Sequence, residues 1–215
     1  MAVNLRRITL VGCGPGAAEY LTDAARQAVA SADVLVGALR LLAMFSSHGE
    51  ARIAVGGDIE AALAAVAEHH AAGRTVAVLT SGDPGLYSVA TFVLRRFGRA
   101  QCEVVPGVSS VQVAFARLGL DWADARVLSA HGRMPEIEAT ELSRFDKIAI
   151  LAGTGAALRW AAVAAGAMHG SHAAWLCENL TLADERIRPL TAEEIETDEA
   201  ASLSIVLLIR KSLLT

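Results

Sequence analysis

Short apolar runs alternate along this chain with longer stretches of helical periodicity. Residues 8–11 (ITLV), 34–36 (VLV), 76–79 (VAVL) and 104–105 (VV) read as buried strands, each closed by a glycine or proline break. Between them, Thr22 caps a predicted helix running to about residue 31, and Asp58 caps another to about residue 70 whose alanines and Leu63 form the buried face. Residues 86–97 read as a third helix, ending in Arg95 and Arg96 before Gly98, and Ser109 caps a fourth that stops near Gly119. Alternation of this kind predicts an α/β half built on a mostly parallel sheet.

Past Gly119 the pattern changes. A short acidic stretch containing Trp122, residues 119–124, reads as a boundary and gives two α/β domains, 1–119 and 120–215. Strands are predicted at 126–129, 147–151, 173–176, 186–189 and 202–210, more closely spaced and with fewer helices between them. Thr191 and Glu194 make a capping box that opens one short helix before the last strand. The second domain is therefore expected to be a mixed sheet with hairpins.

Composition narrows the class. The chain has 215 residues, long enough for a sizeable core, and is 53% hydrophobic. No apolar run approaches the about 18 residues of a membrane span, and residues 204–209 read as a buried strand. The N-terminus, MAVNLRRITLVGCG, enters a strand without a signal-peptide core, so a cytoplasmic enzyme is expected. A formal charge of −4 with no basic block argues against nucleic acid as a partner. Cys13, Cys102 and Cys177 are far apart and embedded in apolar sequence, which favours buried thiols over disulfides or a metal pair. His169 and His172 have no carboxylate or cysteine beside them, so no metal is assigned.

Candidate chemistry gathers in three glycine-rich breaks: VGCGPG at 11–16, SGDPGLYS at 81–88 and PGVSS at 106–110. Breaks at the ends of neighbouring parallel strands suit a ligand crevice. Gly82 and Gly85 permit close backbone approach, Pro84 fixes the turn and Asp83 offers an acceptor. Gly12, Gly14 and Ala17 also fit a dinucleotide fingerprint. That reading fails on two counts. The second strand ends in Gly37 and Ala38 where an acid should hold the ribose, and Pro15 has no N–H to give a pyrophosphate.

These three motifs, with CENLT at 177–181, resemble the tetrapyrrole methylase family over nearly the whole chain. Residues 106–133, ending in the SAHGR of 129–133, and the ENL at 178–180 are similar to its precorrin C-5 methyltransferase branch. The resemblance implies two α/β domains with S-adenosylmethionine held in a cleft between them, and S-adenosylhomocysteine as product. It implies methylation of C-5 of precorrin-7, metal-free or cobalt-bearing, in cobalamin biosynthesis. A homodimer and a partner domain or protein for C-15 methylation and decarboxylation are implied too.

The same resemblance distributes roles. Thr80, Ser81, Gly82 and Asp83, with Leu86 and Tyr87, match the loop around the methionine end and ribose. Ser109 and Ser110 match contacts beyond the next strand. Leu151 with Ala152, Asn179 with Leu180, and Leu203 with Ser204 match the edges around adenine. Pro15 matches the place where cofactor and ring meet, with Gly14 and Gly16 on the substrate side. Gly132 and Arg133 are the remaining substrate candidates, because a guanidinium can hold a ring carboxylate with two prongs. His131 is the candidate base for proton loss; a packing or capping histidine is the other reading. Arg40 and Arg6 are weaker candidates for the same carboxylate contact, with solvated surface charge as the other reading. Two further readings keep open a protein or RNA acceptor on the same fold, and a cofactor-binding subunit inactive without its C-15 partner.

Overall fold

The alternation of the first half folds, in the computed structural model, into a parallel sheet covered on both faces; residues 8–46, 51–56, 58–130, 134–199 and 202–214 are described. Its elements run β1 (Ile8–Gly12), α1 (Asp23–Ala30), β2 (Val34–Gly37), α2 (Leu39–Ala43), β3 (Ala51–Ala54), α3 (Ile59–Ala71), β4 (Val76–Thr80), α4 (Ala90–Phe97) and β5 (Cys102–Val105). The strand order is β3-β2-β4-β1-β5, with every pairing parallel. Period-2 alternation sends Ile8, Leu10, Val34, Val36, Val76 and Val78 to one face against Val66 of α3 and Ala90 and Val93 of α4. Val11, Leu35, Ala77 and Leu79 go to the other, against Ala25 and Val29 of α1 and Leu41 and Leu42 of α2. Each large side chain so buried stabilises the fold by about 1.5–3 kcal/mol before entropy is counted.

The caps behave as the sequence predicts. The Thr22 hydroxyl accepts from the Ala25 N–H at 3.1 Å, and the Asp58 carboxylate accepts from the Ala61 N–H at 3.1 Å. Gly98, at φ +80°, closes α4. The start of α4 differs: it begins at Ala90, not at residue 86, because residues 83–89 form an irregular turn. Neither α2 nor β3 was marked by the hydrophobic pattern.

The second unit contains α5 (Ser110–Arg117), β6 (Arg126–Ser129), α6 (Ala139–Leu142), β7 (Lys147–Leu151), α7 (Gly155–Ala167), β8 (His172–Glu178), β9 (Arg186–Leu190), α8 (Ala192–Thr197) and β10 (Ser204–Arg210). Its sheet, β6-β7-β10-β8-β9, is mixed: β6 and β7 run parallel, and the other pairs are antiparallel. Thr191 and Glu194 form the capping box of α8. The compact units are Met1–Ser109 and Ser110–Thr215, a division ahead of the expected 119/120. The reason is α5, which buries Val111, Val113, Ala114 and Phe115 and contacts β10 of the second unit. In this unit the pattern marks neither the short α6 nor the thirteen-residue α7; six residues of α7 are buried, five of them alanines.

Candidate functional site

Parallel register brings the three glycine-rich breaks together. Gly12 of β1 lies opposite Thr80 of β4, and Val11 opposite Val105 of β5, so all three breaks leave one edge of the sheet at the same level. There the backbones bond to one another. Gly82 N–H donates to the Gly14 carbonyl at 2.8 Å, and Gly14 N–H donates back to Gly82 at 3.3 Å. Cys13 N–H donates to the Thr80 carbonyl at 2.9 Å, and the buried Thr80 hydroxyl donates to Val11 at 3.1 Å. Both Gly14 and Gly82 have positive φ, +73° and +65°, where a β-carbon would be strained.

Asp83 ties two of the loops. One carboxylate oxygen accepts from Gly85 N–H at 2.7 Å and the other from Gly107 N–H at 3.0 Å. Its acceptors are thus engaged by backbone, which locks the SGDPG turn to the PGVSS turn. Packing beside this tie leaves no room for side chains. A β-carbon on Gly107 would lie 2.5 Å from the Gly82 oxygen, and one on Gly12 would lie 2.5 Å from Gly107 nitrogen. The outer side of the SGDPGLYS loop is open: Ser81, Gly85 and Tyr87 are exposed, Tyr87 by 59%. Tyr87 also has φ +46°, a conformation costing an L-residue roughly 1–2 kcal/mol. A loop fixed behind and open in front suits a ligand that lies along backbone.

The second unit repeats the device at the ends of β7, β10 and β8. Ala152 N–H donates to the Ser204 carbonyl at 2.9 Å, and Asn179 N–H donates to the Leu203 carbonyl at 3.0 Å. Leu151–Ala152, Asn179–Leu180 and Leu203–Ser204, far apart in sequence, are therefore neighbours. Ala152, Leu180 and Ser204 are buried, and Asn179 and Leu203 are half-buried. Asn179 and Thr181 have φ +49° and +73°; with Tyr87 they are the non-glycine residues of positive φ among those described. All three lie in the motif segments, as strained residues at binding sites commonly do.

Side chains hold that strain in place. Asn179 donates to the Asp184 carboxylate at 2.7 Å, and Thr181 N–H donates to Glu185 at 2.5 Å. Arg117 grips Glu185 with Nε at 2.7 Å and Nη2 at 3.2 Å. That bidentate bond, foremost, holds the Glu185 carboxyl below its ordinary pKa. Glu178, fully buried, accepts from Arg186 at 3.1 Å and from Arg188 at 2.8 Å, and Arg188 also reaches Asp198 at 2.9 Å. Sequence reasoning quoted Glu178 within the ENL segment without giving it a role, and missed Glu185.

The thiols are poor nucleophiles. Burial pushes Cys13 and Cys177 up to about 12, and raises Cys102 as well. His172 is buried between the Phe145 carbonyl at 2.9 Å and the Ser171 hydroxyl at 2.8 Å, so it serves packing. Among the described residues no group of three His, Cys, Asp or Glu could hold a metal, and no helix is long and apolar enough to cross a membrane. His131, Gly132 and Arg133 lie outside the described residues. Ala130, just before them, donates to the Leu151 carbonyl at 3.0 Å. Pro15 and Thr80 are buried, Gly16, Leu86 and Ser110 are half-buried, and Ser109 is buried at the foot of α5.

Residues 7–196 match the family model of the tetrapyrrole (corrin/porphyrin) methylases. The chain belongs to that family. Among its relatives, the cobalt-precorrin-7 C(5)-methyltransferase of Salmonella typhimurium is 34% identical over 203 residues, covering 93% of this chain and 98% of the relative. A precorrin-6Y methylase of cobalamin biosynthesis from Archaeoglobus fulgidus superposes with a TM-score of 0.73 at 28% identity, over 96% of this chain and 99% of that one. A uroporphyrin-III C-methyltransferase from Thermus thermophilus, solved with S-adenyl homocysteine, shares the fold: TM-score 0.77, 22% identity, 97% and 100% coverage. In this methylase the loops at residues 11–16, 81–88, 106–110 and 177–181 all fall within the part that matches the family model.

Proposed function

We infer that the chain is an S-adenosylmethionine-dependent C-methyltransferase of cobalamin biosynthesis, methylating C-5 of precorrin-7 or its cobalt form. The observation that carries this is the near-full-length likeness to a cobalt-precorrin-7 C(5)-methyltransferase. The interlocked loops in each unit support the same reading.

S-adenosylmethionine supplies an electrophilic methyl group on a sulfonium sulfur. The chain's own contribution is placement. Thr80 to Asp83, Leu86 and Tyr87 hold the methionine and ribose portion on a loop that Asp83 fixes to Gly107. Leu151, Ala152, Asn179, Leu180, Leu203 and Ser204 offer a small, largely apolar surface for adenine. In-line placement of methyl and ring carbon is worth up to about 7–11 kcal/mol. The ring's enamine-like carbon forms the new C–C bond as the C–S bond breaks, and a proton must leave afterwards. His131 is the base we assign to it, with Arg133, Gly132, Gly14 and Gly16 on the substrate side.

The test is calorimetric. The purified chain, exhaustively chelated, is expected to bind S-adenosylhomocysteine with no metal or nucleotide added. Tight binding of NADH with none of S-adenosylhomocysteine would contradict the reading.

A further inference from the structure

Arg40 is exposed at the sheet edge from which the glycine-rich loops leave. It follows β2, whose Val36 pairs with Val78 of β4, so α2 starts at the same sheet edge as the SGDPG loop. Gly37 is packed so closely that a β-carbon there would meet the Leu79 β-carbon at 2.9 Å. That contact, with Leu41 and Leu42 buried to 3% and 5% exposure, fixes the short helix against the sheet. Leu39 and Arg40 are left facing out, Leu39 by 74%.

Among the described residues the cation has no acid to answer it. Arg40 makes no ion pair or hydrogen bond through its side chain with any described residue. Although the residue is exposed, desolvation is the largest influence on its guanidinium and lowers its pKa; the nearby Cys13 thiol acts in the opposite sense. Since that thiol is itself pushed up to about 12, it is neutral near pH 7 and supplies no counter-charge. Leu41 and Leu42, which follow Arg40, share a buried cluster with Val11 and Cys13, and this sets α2 beside the GCGPG loop. A guanidinium with no acid partner among the described residues, set beside the glycine-rich loops, favours an incoming anion, above all a carboxylate held by two prongs.

We propose that Arg40, with Leu39 beside it, recognises the ring substrate: the guanidinium holds a ring carboxylate and the leucine lies against the ring's apolar face. This rests on the methyltransferase reading above and adds a specificity-determining pair to it. A tetrapyrrole with an apolar plane rimmed by acid side chains is the ligand class that uses both residues at once. The pair discriminates against neutral rings, because an esterified rim offers nothing to the guanidinium.

The probe is a porphyrin bearing eight carboxylates, titrated by fluorescence, with S-adenosylhomocysteine titrated in parallel by calorimetry. Arg40→Ala should weaken the acid porphyrin roughly ten- to a hundredfold, the range for losing one charge-assisted contact. Arg40→Lys should recover only part, because an ammonium lacks the forked geometry. Both variants should bind S-adenosylhomocysteine within about twofold of the parent, which shows that they fold. The fully esterified porphyrin should bind parent and Arg40→Ala alike. The proposal is overturned if Arg40→Ala keeps its affinity for the acid porphyrin, if it loses acid and ester equally, or if the parent binds S-adenosylhomocysteine but not the acid porphyrin. Failure of the parent to bind S-adenosylhomocysteine is a separate result, seen in the other titration; it would bring down the cofactor reading and this proposal with it.

Discussion

Gly107→Val is expected to abolish S-adenosylhomocysteine binding, by more than about a hundredfold, and to lower stability by about 1–3 kcal/mol. The new β-carbon would stand 2.5 Å from the Gly82 oxygen and 2.7 Å from the Gly12 carbonyl carbon. Both neighbours are backbone, so no rotamer change relieves the clash; the ends of β1, β4 and β5 must separate. The same movement stretches the 3.0 Å bond from Gly107 N–H to Asp83 and frees the turn that presents Ser81 and Tyr87. Asp83→Ala should reproduce the binding defect in milder form, since it removes the tie without forcing the strands apart. Gly56→Ala is the control: nothing lies within 4 Å of a β-carbon there. Calorimetry and urea unfolding on the three variants decide. Binding by Gly107→Val within twofold of the parent would mean that the interlocked loops do not hold the cofactor.

The second large effect lies in the buried carboxylate of β8. Arg188→Ala is expected to destabilise the chain by about 2–3 kcal/mol, read from the urea midpoint at unchanged slope. Glu178 has no solvent access, and Arg188 is its shorter contact as well as its link to Asp198. Removing one partner of a buried pair usually costs about 3–5 kcal/mol. The expectation here is lower because Arg188 is itself 36% exposed and Arg186 remains at 3.1 Å. Arg186→Ala should cost less than half as much, because Arg186 is 58% exposed and its bridge is largely screened. Equal losses for the two arginines would show that the pair does not share Glu178 unequally. The strained Asn179 follows Glu178 directly, so cofactor affinity should fall with Arg188→Ala.

Much of this architecture was legible because short-range chemistry specified it. Val76 to Leu79 is apolar throughout and is followed by a break rich in glycine and proline; Thr22, Asp58 and the Thr191–Glu194 box state where helices begin. What escaped had no local signature. In α7 the alanines spread modest hydrophobicity around the whole helix, so no polar face marked its period. The edge strand β3 is largely exposed and offers no alternation. Residues 86–89 have helical composition, but Asp83 and the positive φ of Tyr87 hold them in a turn. The site followed the same rule. Its motif residues were readable, whereas the meeting of Ala152 with Ser204 and of Asn179 with Leu203 depends on β10 entering between β7 and β8. Asp83 reads in the sequence as a ligand acceptor; its bonds from Gly85 and Gly107, which make it the tie between two loops as well, appear only in the fold.

Methyl transfer itself tests the central claim most directly. The purified chain, given S-adenosylmethionine with an isotope-labelled methyl group and cobalt-precorrin-7, should place the label on C-5 of the ring, resolved by NMR of the product, and release S-adenosylhomocysteine in equal amount. A chain that binds S-adenosylhomocysteine yet transfers no label to the ring, or places it on a different ring carbon, would contradict the account.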